Sequence, residues 1–210
     1  MKTTQFDAFL FDFDGTIFDT HASLVGTYRR GFEAIGLPCT PEDVAREMHY
    51  ALVQTCAHYN LSEEDSNTLI QTIRANTDNP EFLALVKIFP ETVEVIRSLK
   101  EKGKRVAIMS GNGEPHIRGL LQKFGVESLF EFVVGRSPDR RPKPSGDPVE
   151  AAMAYWPDIN RDKVVYVGDS LQDPETAHNG GIHAILIDRK GEFPAYEGEK
   201  ITDLRELLAD

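Results

Sequence analysis

Two carboxylates stand two residues apart in the run Phe9-Leu10-Phe11-Asp12-Phe13-Asp14-Gly15-Thr16. The residues before them are apolar, so 7–11 predicts a buried strand that ends at Gly15. Side chains alternate along a strand, so Asp12 and Asp14 can share a face at its carboxyl end. Like charges that close repel unless a cation or a shared proton comes between them. A segment that served packing alone would avoid the pair, so it marks a place for chemistry.

Positioning such a pair requires a rigid sheet, and the chain supplies one. Val106 to Met109 leads into Ser110-Gly111-Asn112-Gly113, Phe130 to Val134 into Gly135, Val164 to Val167 into Gly168-Asp169-Ser170, and Ala184 to Ile187 into Asp188. Each run is short and apolar, as in a parallel sheet covered on both faces. Helices fall between them. Pro90 starts one, with Val93, Ile96 and Leu99 on its face and Gly103 at its end. Ile117, Leu120, Leu121 and Phe124 line the next, which stops at Gly125. Asp147 reads as an N-cap before Pro148, with Val149, Ala152, Met153 and Trp156 as the apolar stripe. The alternation predicts an α/β fold with a doubly wound parallel sheet over 1–18 and 87–210.

Residues 19–86 read as helices only. Leu24, Tyr28, Phe32 and Ile35 share one face. Thr40-Pro41 starts a second helix, with Val44, Met48, Ala51 and Leu52 inside. Ser62 caps a third around Leu69, Ile70 and Ile73, and Asn79-Pro80 starts a fourth. This predicts a small helical domain inserted after the first strand, standing over the strand ends.

Composition narrows the function. There are 34 acidic and 23 basic residues, for a formal net charge of −11. This excludes bulk nucleic-acid binding, which runs on phosphate neutralisation, despite the local cluster Arg136, Arg140, Arg141 and Lys143. No segment approaches the ~20 apolar residues of a membrane span. The start, with Lys2, polar residues and Asp7, does not resemble a signal peptide. Cys39 and Cys56 form neither a disulfide framework nor a metal spacing. The expected compartment is the cytosol, with no membrane partner.

In an open α/β sheet, ligands bind beyond the carboxyl ends of the strands, near a topological switch point. Collecting the polar residues there brings together Asp12, Asp14, Thr16, Ser110, Asp169 and Asp173. Lys143 joins them from the loop Arg141-Pro142-Lys143-Pro144. Carboxylate oxygens suit Mg2+, which takes phosphate as a further ligand. A lysine and helix amides suit phosphate. The combination reads as metal-assisted phosphoryl transfer, although Asp169 and Asp173 each have a plain structural use as helix caps.

Asp12-Phe13-Asp14-Gly15-Thr16, Ser110, Lys143-Pro144 and Gly168-Asp169-Ser170-Leu171-Gln172-Asp173 resemble the four ordered motifs of the haloacid dehalogenase-like hydrolase superfamily. The branch most similar to this chain is the phosphoglycolate phosphatase-like group, whose core carries an inserted helical cap. The resemblance implies an α/β Rossmannoid core at 1–18 and 87–210, a helical cap at 19–86, and a Mg2+-dependent phosphatase acting on a small phosphorylated metabolite. It implies Asp12 as nucleophile, Asp14 as general acid and base, and a metal site built from Asp12, Asp14 (through its carbonyl), Asp169 and Asp173. It further implies Thr16, Ser110 and Lys143 as holders of the substrate phosphate, and a monomer or homodimer.

The acid at Asp14 disfavours the dehalogenating and phosphonate-cleaving relatives. Sugar phosphomutases of the beta-phosphoglucomutase type remain the alternative. Those carry a histidine early in the first cap helix, where this chain has Leu24, and often Val where Thr16 stands. Family members often have Asn directly after the motif-two Ser; here Gly111 intervenes before Asn112. Arg46, His49, Tyr50 and His58 are the substrate contacts the cap would offer, against ordinary roles in packing.

Overall fold

The computed structural model describes residues 3–209, so Lys2, on which the reading of the N-terminus partly rests, lies outside them. In chain order the elements are β1 (Ala8–Phe11), β2 (Phe18–Asp19), α1 (His21–Ala34), α2 (Pro41–Glu47), α3 (Leu52–His58), α4 (Glu63–Thr77) and α5 (Pro80–Leu83). Then follow β3 (Lys87–Ile88), α6 (Thr92–Glu101), β4 (Arg105–Met109), α7 (Glu114–Lys123), β5 (Val133–Val134), α8 (Asp147–Met153), β6 (Val164–Gly168), α9 (Gln172–Asn179), β7 (His183–Ile187) and β8 (Lys200–Ile201). The chain divides into two compact units, Met1–Phe18 with Ile88–Asp210, and Asp19–Lys87.

The first unit is a six-stranded sheet in the order β5-β4-β1-β6-β7-β8, with every pair parallel. The doubly wound expectation holds. β1 lies between β4 and β6, and Phe11 pairs with Ile108 on one side and Val167 on the other. The chain builds outward from β1 through β4 to β5, then crosses back to β6. The carboxyl ends of β1, β4 and β6 therefore meet at the reversal, where an α/β sheet opens a crevice.

Apolar side chains on both faces lock this register. Ala8, Leu10, Ala107, Met109, Val164 and Tyr166 join α8 and α9 in one cluster with Trp156. The alternate residues Phe9, Phe11, Val106, Ile108, Val165 and Val167 are just as buried. A one-residue slip would exchange the two sets and misplace every residue at the strand ends.

Several details differ from the expectations. α6 begins at Thr92 and buries Val95 with Ile96 and Leu99, leaving Val93 half-buried. Asp147 is the first residue of α8 and not its cap, because its carboxylate is taken by the Arg141 guanidinium and backbone N–H and by the Ser145 hydroxyl. β5 is shorter than 130–134, although Glu131 N–H still donates to Val106 O at 2.9 Å. β8 and the short pair β2–β3 were too brief to leave a pattern.

The helical unit packs Tyr28, Phe32, Val44, Cys56, Leu69 and Ile73 together. The expected second helix is two helices. It breaks after Glu47, and Ala51 is extended, its N–H held by the Gln54 side chain at 2.9 Å. Thr40 and Ser62 cap α2 and α4 as their types predict.

Leu10 is fully buried at the middle of the central strand. Leu10→Ala is expected to lower the unfolding free energy by about 2–5 kcal/mol. The fluorescence of Trp156, the one tryptophan, read through a denaturant titration, checks it; an unchanged midpoint would contradict this account of the core.

Candidate active site

The sheet delivers Asp12 first. Its N–H donates to Val167 O at 2.8 Å, extending the β1–β6 ladder one residue past the strand. Ser110 extends β4 likewise, its N–H donating to Val134 O at 2.9 Å. Beyond Asp12 the chain turns. Gly15 has φ of +65°, a conformation that L side chains rarely adopt. Space reinforces the choice, because a methyl group at Gly15 would lie 1.9 Å from Asp169 Oδ2. At Gly168 a methyl group would lie 2.3 Å from the Asp173 carboxylate. Both glycines clear room for carboxylates.

One oxygen from each of Asp12, Asp169 and Asp173 lies within 4.8 Å of the other two. Lys143 Nζ lies 3.0 Å from Asp12 Oδ1 and 2.7 Å from Asp173 Oδ1. Asp12 Oδ1 is buried, and its close polar contact is this ion pair with Lys143. Asp173 is fixed more fully: its Oδ2 accepts from Ser170 N–H at 2.9 Å and Ser170 Oγ at 3.0 Å. The Lys143 ammonium also lies 5.1 Å from the Tyr166 ring centroid. The Tyr166 hydroxyl donates to Met109 O at 2.9 Å, which anchors that ring.

Asp14 has a separate partner. Asn112 Nδ2 donates to Asp14 Oδ2 at 2.6 Å, and Asn112 N–H donates to Ser110 Oγ at 3.2 Å. The asparagine displaced by one position thus joins the second strand end to the second acid. Thr16 is fully buried, and its hydroxyl has no hydrogen-bond partner among the described residues.

The electrostatics follow from this crowding. Burial pushes the Asp12 carboxyl up to about 7; Lys143 opposes the rise, and Asp173 and Asp14 add to it. Asp169 is driven well above the usual carboxylate range, first by burial and then by Asp12, Asp173 and Asp14. Burial pulls the Lys143 ammonium down, but Asp12 and Asp173 outweigh it and hold it above its ordinary range. Three carboxylates, Asp12, Asp173 and Asp169, thus share the field of one ammonium. The donors that converge are hard oxygens, and the cradle at Gly15 keeps Asp169 among them. Such a set fits a small divalent cation such as Mg2+. The convergent side-chain group comprises Asp12, Asp169 and Asp173; Asp14, with its carboxylate held by Asn112, would contribute through its backbone carbonyl.

The sequence reading left Tyr166 and Ser170 without roles. A tyrosine inside Val164-Val165-Tyr166-Val167 was the available signal, because a buried hydroxyl needs a partner. The cap candidates sort among themselves. Arg46 Nε and His58 Nδ1 each lie 2.9 Å from the buried Glu47 carboxylate, and the Tyr50 ring meets the His58 ring edge-on at 4.8 Å.

Comparison with known proteins agrees with this geometry. The family model described as haloacid dehalogenase-like hydrolase matches residues 9–187. A phosphoglycolate phosphatase of Caulobacter vibrioides is 30% identical over 84% of this chain and 77% of that protein. The tyrosine-protein kinase PtkA of Mycobacterium tuberculosis is 27% identical over 95% of this chain and 71% of that protein. Among solved structures, a haloacid dehalogenase-like family hydrolase from Streptococcus pneumoniae superposes with a TM-score of 0.84 at 19% identity, covering 98% of each chain.

The raised Asp12 carboxyl makes stability depend on pH. Its folded value of about 7 exceeds the ordinary 3.8, so the folded state holds this proton more tightly than the unfolded state. Stability is therefore lost as pH rises between those values, by up to a few kcal/mol. In chelator, Asp12→Asn is expected to melt increasingly above the wild type as pH is raised from about 5 to about 8. A difference in melting temperature that stays constant across that range would refute it.

Proposed function

This chain belongs to the haloacid dehalogenase-like hydrolases and is a phosphatase of that family, and we propose that it hydrolyses a small phosphorylated metabolite of the phosphoglycolate class with Mg2+. The observation that carries the reading is the arrangement at the sheet reversal. A buried carboxylate, Asp12, is paired with a lysine, while a second acid, Asp14, is held apart by an amide. The helical unit is read as the family's cap domain.

Mg2+, when held by Asp12, Asp169 and the Asp14 carbonyl with Asp173 behind them, would offset carboxylate charge and polarise the phosphoryl oxygens. Asp12 attacks phosphorus, and the ester P–O bond breaks as the Asp14 carboxyl gives its proton to the leaving oxygen. The alcohol departs and Asp12 carries the phosphoryl group. Water then attacks that phosphorus, Asp14 takes its proton, and inorganic phosphate leaves with Asp12 restored. Lys143 counters the charge on Asp12 and on the phosphoryl oxygens, and Ser110 and Thr16 supply hydroxyls to them. Asn112 holds one Asp14 oxygen at 2.6 Å, which orients the carboxyl group.

The reading includes a cytosolic enzyme, monomeric or homodimeric, without a nucleic-acid or membrane partner. Unpaired Cys39 and Cys56 accord with a reducing compartment. No helix among the described residues is long and apolar enough to cross a membrane.

Phosphate release from p-nitrophenyl phosphate tests the mechanism. Activity is expected with Mg2+, and chelator or Asp12→Asn is expected to reduce it by a factor on the order of 10³ or more. Activity that survives either change overturns the proposal. A panel of phosphorylated metabolites then tests the substrate class, with small phosphomonoesters of the phosphoglycolate type expected to give the highest kcat/KM. Sugar-phosphate isomerisation faster than hydrolysis would establish the phosphomutase alternative. Transfer from ATP to a tyrosine peptide faster than hydrolysis would align the chain with its kinase relative.

A further inference from the structure

Arg189 follows Asp188 just past the end of β7, and its side chain reaches the turn that carries Asp14. Its Nε donates to Gly15 O at 3.2 Å and its Nη2 to Thr16 O at 2.9 Å. Nη1 pairs with Glu91 Oε1 at 2.6 Å, and the guanidinium lies 3.7 Å from the Phe89 ring centroid. Both members of the ion pair are largely buried, at 18% and 8% side-chain exposure. Three faces of one planar group therefore meet three acceptors while its flat side rests on an aromatic ring. A lysine cannot reproduce that fork.

The two acids depend on this clamp unequally. Asp12 is secured by the sheet through its N–H to Val167 O. Gly15 and Thr16 lie beyond the sheet, in a turn closed by Gly15 N–H to Phe18 O at 2.8 Å and Ile17 N–H to Phe13 O at 3.1 Å. Arg189 binds the two carbonyls that directly follow Asp14. Glu91 and Phe89, on the segment where the chain re-enters this unit, fix the guanidinium in turn. The Thr92 hydroxyl, on the same segment, donates to Ile17 O at 3.1 Å. We propose that Arg189 is a positioning residue for phosphoryl transfer, which sets the Asp14 turn so that its carboxyl meets the leaving oxygen while Asp12 stays in place without it. This inference rests on the phosphatase reading above.

Leaving-group dependence separates positioning from plain loss of stability. A p-nitrophenyl ester departs without a proton, whereas an alkyl phosphate needs one from Asp14. In Arg189→Ala at saturating Mg2+ and substrate, kcat for an alkyl phosphate is expected to fall about 10- to 100-fold, and by about tenfold more than kcat for p-nitrophenyl phosphate, which uses the other contacts of the same turn but needs no proton. Millimolar guanidinium is expected to restore part of the alkyl-phosphate rate. Arg189→Lys, which keeps the charge facing Glu91, is expected to show the same split and carries the comparison should the alanine variant fail to fold. Equal losses on the two esters, or no loss on either, overturn the inference while the wild type remains an active phosphatase. A wild type that hydrolyses neither ester overturns the phosphatase reading, and the inference with it.

Discussion

The constraint on which the rest of this structure depends is the pairing of one ammonium with two buried carboxylates at the carboxyl end of the sheet. Lys143 stands between Asp12 and Asp173; Asp173 and Asp14 are close enough to raise the Asp12 carboxyl further, and Asp12 and Asp173 in turn raise that of Asp169. Buried charges are costly unless paired and hydrogen-bonded. Here the pairing is incomplete, since acids outnumber the lysine. A site tuned to accept a cation and a phosphate would show this imbalance, and one built only for stability would replace the charges with packed apolar groups.

Holding such a cluster falls to the apolar sheet beneath it. The apolar residues on both faces of β1, β4 and β6 are fully or nearly fully buried, so the strand ends cannot slide to relieve repulsion. The fine placement is polar. Ser170 gives Asp173 two hydrogen bonds, and Tyr166 lies beneath Lys143 with its hydroxyl anchored on Met109 O. Gly15 and Gly168 act by omission, because any side chain there would occupy the carboxylates' space. Packing sets the positions of the charges, and short hydrogen bonds set their orientations.

Much of this was legible in the sequence, for definite reasons. Strands buried on both faces leave continuous apolar runs, and each run here ends at a chemically unusual residue. That made β1, β4, β6 and β7 readable together with Asp12, Ser110 and Asp169. Thr40 and Ser62 were readable as caps because their side chains act within three residues. Long-range partnerships left no local trace: Asn112 meets Asp14 across 98 positions, and Arg189 meets Gly15 across 174. The break between α2 and α3 was hidden similarly, since Met48, Ala51 and Leu52 keep a helical spacing through it. What makes two helices of it is the extended Ala51, which begins α3 afresh with its N–H bonded to Gln54. Asp147 misled because a carboxylate before a proline has the composition of a cap, while its true partners are Arg141 and Ser145.

The two acids at residues 12 and 14 show how one short motif acquires two chemistries. On an ideal strand they would share a face and an environment, and each would raise the other's pKa with nothing to tell them apart. The turn at Gly15 ends that equivalence. Asp12 remains in the sheet's hydrogen-bond lattice, buried and facing an ammonium. Asp14 leaves the lattice and takes an amide partner in Asn112. An amide orients a carboxyl group without fixing its charge, which would suit the acid and base role proposed for Asp14. On the reading proposed above, backbone geometry would tell acid from nucleophile before any substrate arrives, and the glycine that makes the turn also clears the space that Asp169 occupies.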